Sequence, residues 1–335
     1  MKIEQTSWGR LEDGREVLRF EIKNSNGISA AVINYGAVIQ QICAPDRSGQ
    51  TEDIVLGYDS LNEYIQGSDY FGASVGRVSN RIAGAAFELE GNRYQLTANE
   101  GANMLHGGSG FHTKLWDYEI LENALVLNYI SEDGEDGFPG SLKVTQTITL
   151  SEENALRLEY KAVCDKTTIC SLTGHSYFNL AGSKDGKMQS VFGHQMQLAA
   201  KEYTPGGDFL IPTGEILSVE ETAYDFLGAR ALGDDPLDVN FVLSDAFKKW
   251  DVRVYEPVSG RFLSLKTDLP GLQVYNGSGI AVQKGKGGIQ YGPFAGLALE
   301  PQFYPDAIHH KNFPQPILKA GEEYRHFIEY HFGVV

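Results

Sequence analysis

Apolar and polar residues alternate with a period of two in short runs from one end of this chain to the other. That is the pattern of strands with one buried face. EVLRFEIK (16–23) and ISAAVINY (28–35) flank Asn26-Gly27, a hairpin signal. AVIQQIC follows and is closed by Pro45-Asp46. AAFELEGNRYQL (85–96) predicts a second hairpin around Gly91-Asn92. ALVLNYI (124–130), SLKVTQTITL (141–150) and ALRLEYKAVC (155–164) predict a meander, with GEDGFPG and SEEN as connections. RFLSLKTD, LQVYNG, GLALE and RHFIEYHF keep the rhythm to the end. Helical signals are few: DSLNEYI (59–65), with a capping residue at its start, and DAFKKW (245–250). Strands do not alternate with long helices, so βαβ units are not expected. The pattern predicts an all-β protein, a large antiparallel β-sandwich with few short helices. Residues 1–335 read as one domain. A boundary would have to fall in the loop-rich region 181–240, which lacks linker composition.

One run breaks the usual chemistry of such strands. In SLTGHSYFNL (171–180), one face carries Leu172, Gly174, Ser176, Phe178 and Leu180. The other carries Ser171, Thr173, His175, Tyr177 and Asn179, spaced about 7 Å apart along a strand. A solvated polar face would contain Lys, Glu or Asp, and this one has none. It reads as the wall of a polar pocket, against the plainer reading of a structural histidine satisfied in place.

Further candidates lie elsewhere. In FAGLALEPQFYPDA (294–307), Leu297 and Leu299 share one strand face, and Gly296, Ala298 and Glu300 share the other. The small residues leave room beside the carboxylate, and Pro301 is expected to stop regular pairing. GRVSNRI (76–82) supplies Asn80 and the directional fork of Arg81, while NMLHGG (103–108) sets His106 before two glycines. A rim carboxylate, a surface ion pair and a turn histidine are the ordinary alternatives for Glu300, Arg81 and His106. Asp238 in LDVNF (237–241) is an acid in an apolar run and needs a buried partner or a ligand, as does Gln273 in PGLQVYNG (270–277).

Other patterns carry less. GASVG (72–76) matches G-x-S-x-G but leads towards a hairpin, not the helix a nucleophile elbow needs. KGKGG (284–288) lacks the spacing of a phosphate loop. His309-His310 would point to opposite faces, with no third ligand in view, so no metal site is expected. Asn276-Gly277-Ser278 is a glycosylation sequon without a secretory context. The formal net charge of −16 and the absence of basic runs argue against nucleic acid and anionic membrane partners. The start MKIEQTSWGRLEDG has no apolar core, and no stretch has the length of a membrane span. Cys43, Cys164 and Cys170 match neither a zinc site nor a disulfide framework, which suits reduced thiols in the cytoplasm. What remains is a neutral-polar set fitted to a hydroxyl-rich ligand and proton transfer.

These segments resemble the aldose 1-epimerase (galactose mutarotase) family. GRVSNRI, NMLHGG with its following GF, SLTGHSYFNL, IPTGEI (211–216), LDVNF, PGLQVYNG and GLALEPQFYPDA, then NFPQPIL and KAGEEY, occur in the family's order over essentially the whole chain. Gly174 stands where the family often has Asn, and Pro301 where a Thr often follows the glutamate. The resemblance implies an open cleft on a β-sandwich, with His175 as general acid and Glu300 as general base. His106 would assist near the ring oxygen. Asn80, Arg81, Asp238 and Gln273 would hold sugar hydroxyls, with Tyr177 lining the site. It implies a free monosaccharide such as galactose or glucose as substrate and no cofactor. A phosphorylated sugar would need a basic cluster that the matched segments lack. Two other classes stay open: a non-catalytic sugar sensor on the same scaffold, and a glycoside hydrolase or esterase, the glycosidase version using Asp238 and Glu300 as its carboxylate pair. Monomer and homodimer are both compatible with the sequence.

Overall fold

The computed structural model describes residues 2–244 and 249–335. Of the segment 245–250, the stretch 245–248 lies outside the described residues, so the helical reading of DAFKKW lies outside them too.

Three antiparallel sheets carry the architecture. The first runs Lys2–Arg10, Glu16–Lys23, Ser29–Ile33, Val38–Pro45 and Thr51–Asp53 in sequence order. Asn26-Gly27 makes its predicted turn, with Lys23 opposite Ser29. The second has nine strands. The meander Ala124–Ser131, Leu142–Leu150 and Ala155–Cys164 is extended by the long C-terminal strand Glu323–Val334 and by Arg261–Thr267. The third has six strands, in the order Tyr177–Phe178, Leu297–Gln302, Gly271–Tyr275, Asp238–Leu243, Ala200–Thr204 and Leu217–Ser218.

Period two decides which side chains meet between the sheets. In Ala155–Cys164, Leu156, Leu158, Tyr160 and Ala162 point inward while Arg157, Glu159 and Lys161 are only partly covered. They meet Leu272, Val274, Leu297 and Leu299 of the third sheet and Phe20, Val32 and Ile42 of the first in one core. Each such leucine contributes about 1.5–3 kcal/mol through burial. The protein is thus a β-sandwich, and the cleft described below lies on the face of the third sheet turned away from this core.

Several details differ from the sequence reading. The second hairpin pairs Leu89 with Asn92, so its turn residues are Glu90 and Gly91, both with positive φ (52° and 78°). That is one residue earlier than expected, and it is the left-handed pair a tight hairpin requires. Pro301 does not end its strand: it lies opposite Leu272 within Leu297–Gln302. On the strand's other side, Tyr177–Phe178 reaches only Leu297 and Ala298, so no partner requires the missing N–H. The helix Leu61–Gln66 starts where expected, and the Glu63 carboxylate accepts the Ser60 backbone N–H at 3.0 Å. The region 181–240 contributes Gln195–Leu198 to the nine-stranded sheet and Ala200–Thr204 to the six-stranded one. No helix among the described residues is long and apolar enough to cross a membrane.

Candidate active site

SLTGHSYFNL is not one continuous strand. Thr173–Gly174 pairs with Ser74–Val75, Tyr177–Phe178 pairs with Leu297 and Ala298, and His175 and Ser176 lie at the break between them. All ten residues of the stretch are buried. The His175 backbone is held on both sides, its N–H donating to Ala73 O and its carbonyl accepting from Gly72 N, each at 2.9 Å. Both strand pieces keep their apolar residues towards the core, so His175 and Tyr177 fall on the cleft side. There Tyr177 stacks on His175 with ring centroids 4.9 Å apart.

The third sheet supplies the floor. In cross-strand register, Tyr177, Ala298, Tyr275 and Asp238 form one row, and Glu300, Gln273 and Asn240 form the next. Glu300 therefore projects beside His175, with Oε1 3.4 Å from His175 Nε2. The small residues before Glu300 do not leave space for a ligand. A Cβ at Gly296 would meet Leu56 at 2.8 Å and Tyr177 at 3.0 Å, so they make room for protein packing instead.

The third wall comes from two hairpin-like segments. Arg81 lies opposite Leu105, and His106 N donates to Asn80 O at 2.9 Å. The Asn80 N–H in turn donates to His106 Nδ1 at 3.2 Å. Neutral His106 therefore carries its proton on Nε2 and is a hydrogen-bond donor there. Asn80 and His106 both have positive φ, 59° and 51°, as does Tyr70 at 56°, a cost the surrounding contacts must sustain. Gly107 is needed where it stands, since a Cβ there would lie 2.1 Å from Gly76 O.

These walls enclose a cleft of roughly 500 Å³ lined by Tyr70, Asn80, Arg81, His106, His175, Tyr177, Asp238 and Glu300. Gln273 sits in the second row of the floor but does not line the cleft, and donates through Nε2 to Asp238 Oδ1 at 2.5 Å. Two contributors were not legible in the sequence. Tyr70 packs against both His106 (4.7 Å) and His175 (5.8 Å). Glu100 accepts Arg81 Nε and Nη2, both at 2.7 Å, so Arg81 does form the ion pair weighed as its ordinary alternative, but with its own side chain mostly covered on the cleft wall.

Burial sets the proton affinities. It pushes Glu300 well up, reinforced by the charge of Asp238 and opposed by Arg81. It pulls His175 down to about 4 and His106 well below the ordinary histidine range, the latter helped by His175. Asp238 is raised by burial and held back by its bond from Gln273. An imidazolium facing a carboxylate is thus not the form that burial favours, contrary to the simplest reading of an acid and a base. Both directions are satisfied when the pair shares one transferable proton, and such a pair titrates as a unit.

One ligand atom each from His106, His175 and Glu300 falls within 4.8 Å of the others, the only such group among the described residues. With Nδ1 accepting from Asn80, His106 offers an N–H at its remaining nitrogen and not a lone pair. That suits a sugar oxygen better than a cation. A second cleft of similar size lies beside Trp8, Asp53 and Lys286. The ammonium of Lys286, from the KGKGG run, is already held by Asp53 at 2.6 Å and Gln40 O at 2.7 Å. His309 and His310 are not isolated either: both face Asp306, at 2.6 and 3.5 Å.

Comparison with known proteins agrees with this geometry. The family model for aldose 1-epimerase matches residues 19–331. Galactose mutarotase of Bos taurus is 40% identical over 328 residues, covering 95% of this chain and 94% of its own. Aldose 1-epimerase of Escherichia coli K12 is 32% identical, covering 96% of each. The crystal structure of an aldose epimerase homologue from C. elegans superposes with a TM-score of 0.88 at 31% identity, covering 94% of this chain and 98% of that one. The protein belongs to the aldose 1-epimerase family and is an isomerase.

Proposed function

We propose that the protein interconverts the α and β anomers of free aldohexoses such as D-galactose and D-glucose. The observation that carries this is the buried His175–Glu300 pair, 3.4 Å apart on one side of a polar cleft. Opening a hemiacetal requires a proton to leave the C1 hydroxyl and another to reach the ring oxygen. In this reading the shared proton passes from Glu300 to His175 when the sugar binds; Glu300 then takes the C1 hydroxyl proton and His175 gives its own to the ring oxygen, while the Nε2–H of His106 steadies the oxygen between them. Rotation about C1–C2 and reclosure return both protons with the roles reversed. A pair holding one transferable proton serves either direction. Each positioned acid or base contributes about 10²–10⁴-fold. No metal or organic cofactor is needed by this chemistry.

Asn80, Arg81 and Asp238 would grip hydroxyls remote from C1, with Tyr177 as a wall and Gln273 fixing Asp238. Among the described residues that line the cleft, Arg81 is the one lysine or arginine and is engaged by Glu100, which favours a neutral sugar over a phosphorylated one. Glu100→Gln is expected to raise KM about tenfold while kcat holds, because it loosens a binding fork and leaves the proton-transfer pair alone. Initial rates over a range of galactose concentrations check this, and a fall in kcat instead would contradict it. The reading includes one domain over residues 1–335, a cytoplasmic location and a monomer or homodimer. The strands at 195–204, which serve two sheets, support the single domain.

The deciding test is polarimetry of freshly dissolved α-D-galactose with and without protein. Relaxation faster than buffer supports the reading. Calorimetric sugar binding without acceleration would identify a sensor instead.

A further inference from the structure

The sheet face that floors the cleft continues beyond it. After the row of Glu300, Gln273 and Asn240 comes a row of Gln302, Gly271 and Val242. Cross-strand partners share a face. This last row is covered rather than open: Tyr304 and Phe313 form a cluster against Val242. A Cβ at Gly271 would lie 2.7 Å from Asn240 Oδ1 and 2.8 Å from the Tyr304 ring.

Polar side chains in this covered zone are left without partners. Gln302 is fully buried, and neither end of its amide makes a hydrogen bond. On the same face Asn240 Oδ1, Gln273 Oε1 and Glu300 Oε2 are likewise buried and unpartnered. So is Thr173 Oγ1, on the short strand that packs against Leu297–Gln302. Gly174 faces Leu158 and Tyr160 in the core, which turns Thr173 to the cleft side. Native interiors rarely tolerate such a concentration of unmade hydrogen bonds. The set is rich in acceptor oxygens, with one amide nitrogen and one hydroxyl as donors. Water, bringing two donors per molecule to a polar site, is the ligand that matches.

We propose that Gln302, Asn240, Thr173 and the outer oxygen of Glu300 bind ordered internal water, and that Gln302 thereby acts as a positioning residue for Glu300. The kinetic part rests on the reading of Glu300 as the proton-accepting group. Glu300 is faced by His175, Asp238 and Arg81, and by the phenols of Tyr177 and Tyr330. Arg81 favours its ionisation, and burial and Asp238 oppose it. A water donating to Oε2 hydrogen-bonds the charged form and counters them.

Two measurements test this. A crystal structure of the unmodified protein at a resolution that orders solvent is expected to show water within hydrogen-bond distance of the Gln302 amide and of Glu300 Oε2. A metal ion there, or direct protein partners for Gln302, overturns the proposal. Gln302→Leu is expected to lower kcat about tenfold, hold KM within about twofold, and shift the pH–rate profile upward by about one unit. An unshifted profile with full kcat overturns the positioning role. Gln302→Met replaces the leucine variant if that one fails to fold. Glu300→Gln, measured alongside, separates the two claims. If it is inactive while Gln302→Leu is normal, the role of Glu300 stands and only the positioning role falls.

Discussion

Replacing Glu300 by glutamine is expected to abolish catalysed mutarotation and, at the same time, to raise the melting temperature. The two effects have one cause. Glu300 is buried, with Oε1 3.4 Å from His175 Nε2, and is pushed well above the ordinary carboxylate range, first by burial and then by Asp238. Glutamine keeps the shape but cannot take a proton, so the loss should reach about 10²–10⁴-fold. The stability sign follows from linkage. The folded protein holds this proton to higher pH than the unfolded chain does. Stability from this group is therefore full below the unfolded value of 4.5 and is lost as pH rises through the raised folded value. At neutral pH the wild type carries that burden and the glutamine variant does not. Polarimetry with calorimetry at pH 7 and pH 4 checks both halves, and the gain in melting temperature should shrink at the lower pH. A variant that is inactive and less stable at pH 7 would show that the carboxylate is held by favourable contacts and not endured for function.

The candidate site was legible through alternation where its residues sit on strands, as Tyr177, Asp238 and Glu300 do, whereas Asn80 and His106, off the strands, were reached through their glycine-flanked segments. Period two in Ala155–Cys164 and Leu297–Gln302 assigned inward and outward faces correctly, because each strand has one face in the core. Lys2–Arg10 and Asp117–Leu121 escaped notice for the complementary reason. They are edge strands with little buried surface: Lys2–Arg10 has no sustained apolar alternation, and the brief alternation of Tyr118 and Ile120 in Asp117–Leu121 lies on an exposed strand. Alternation in SLTGHSYFNL pointed to His175 and Tyr177, which line the cleft, while misjudging the backbone, which breaks at His175 as the chain leaves Ser74–Val75 for Leu297–Gln302. Local pattern cannot report which neighbour a strand will find. Glu100 and Tyr70 were hidden for the same reason. Nothing near either residue in sequence connects it to Arg81 or His175, and only the folded chain places them together. Proton affinities lay furthest from reach. The sequence supplied an acid and a base, but the direction in which each is shifted comes from burial, a property of the whole fold.

His175→Asn is the second large effect, and it separates catalysis from folding in acid. Asparagine retains a donor in roughly the same volume but cannot shuttle a proton, so activity should fall about 10²–10⁴-fold. In the wild type, burial pulls His175 down to about 4. Between that value and the ordinary 6.5, the unfolded chain binds a proton that the folded one refuses. Stability from this group is full above pH 6.5 and drains away as pH falls towards 4. At about 1.36 kcal/mol per unit, that is roughly 3 kcal/mol by pH 4. The asparagine variant should lack this component, so its denaturation midpoint should change less steeply between pH 6.5 and 4. It should not become flat, since burial also holds His112 and His194 near 4, and each adds a loss of the same sign. Urea melts across this range, paired with polarimetry at pH 7, distinguish two accounts. A buried neutral histidine kept for proton transfer gives loss of activity with reduced acid sensitivity. A histidine stabilised as a cation by Glu300 gives the opposite slope, with the wild type gaining on the variant as pH falls, and that result would place the transferable proton on His175 before the sugar arrives.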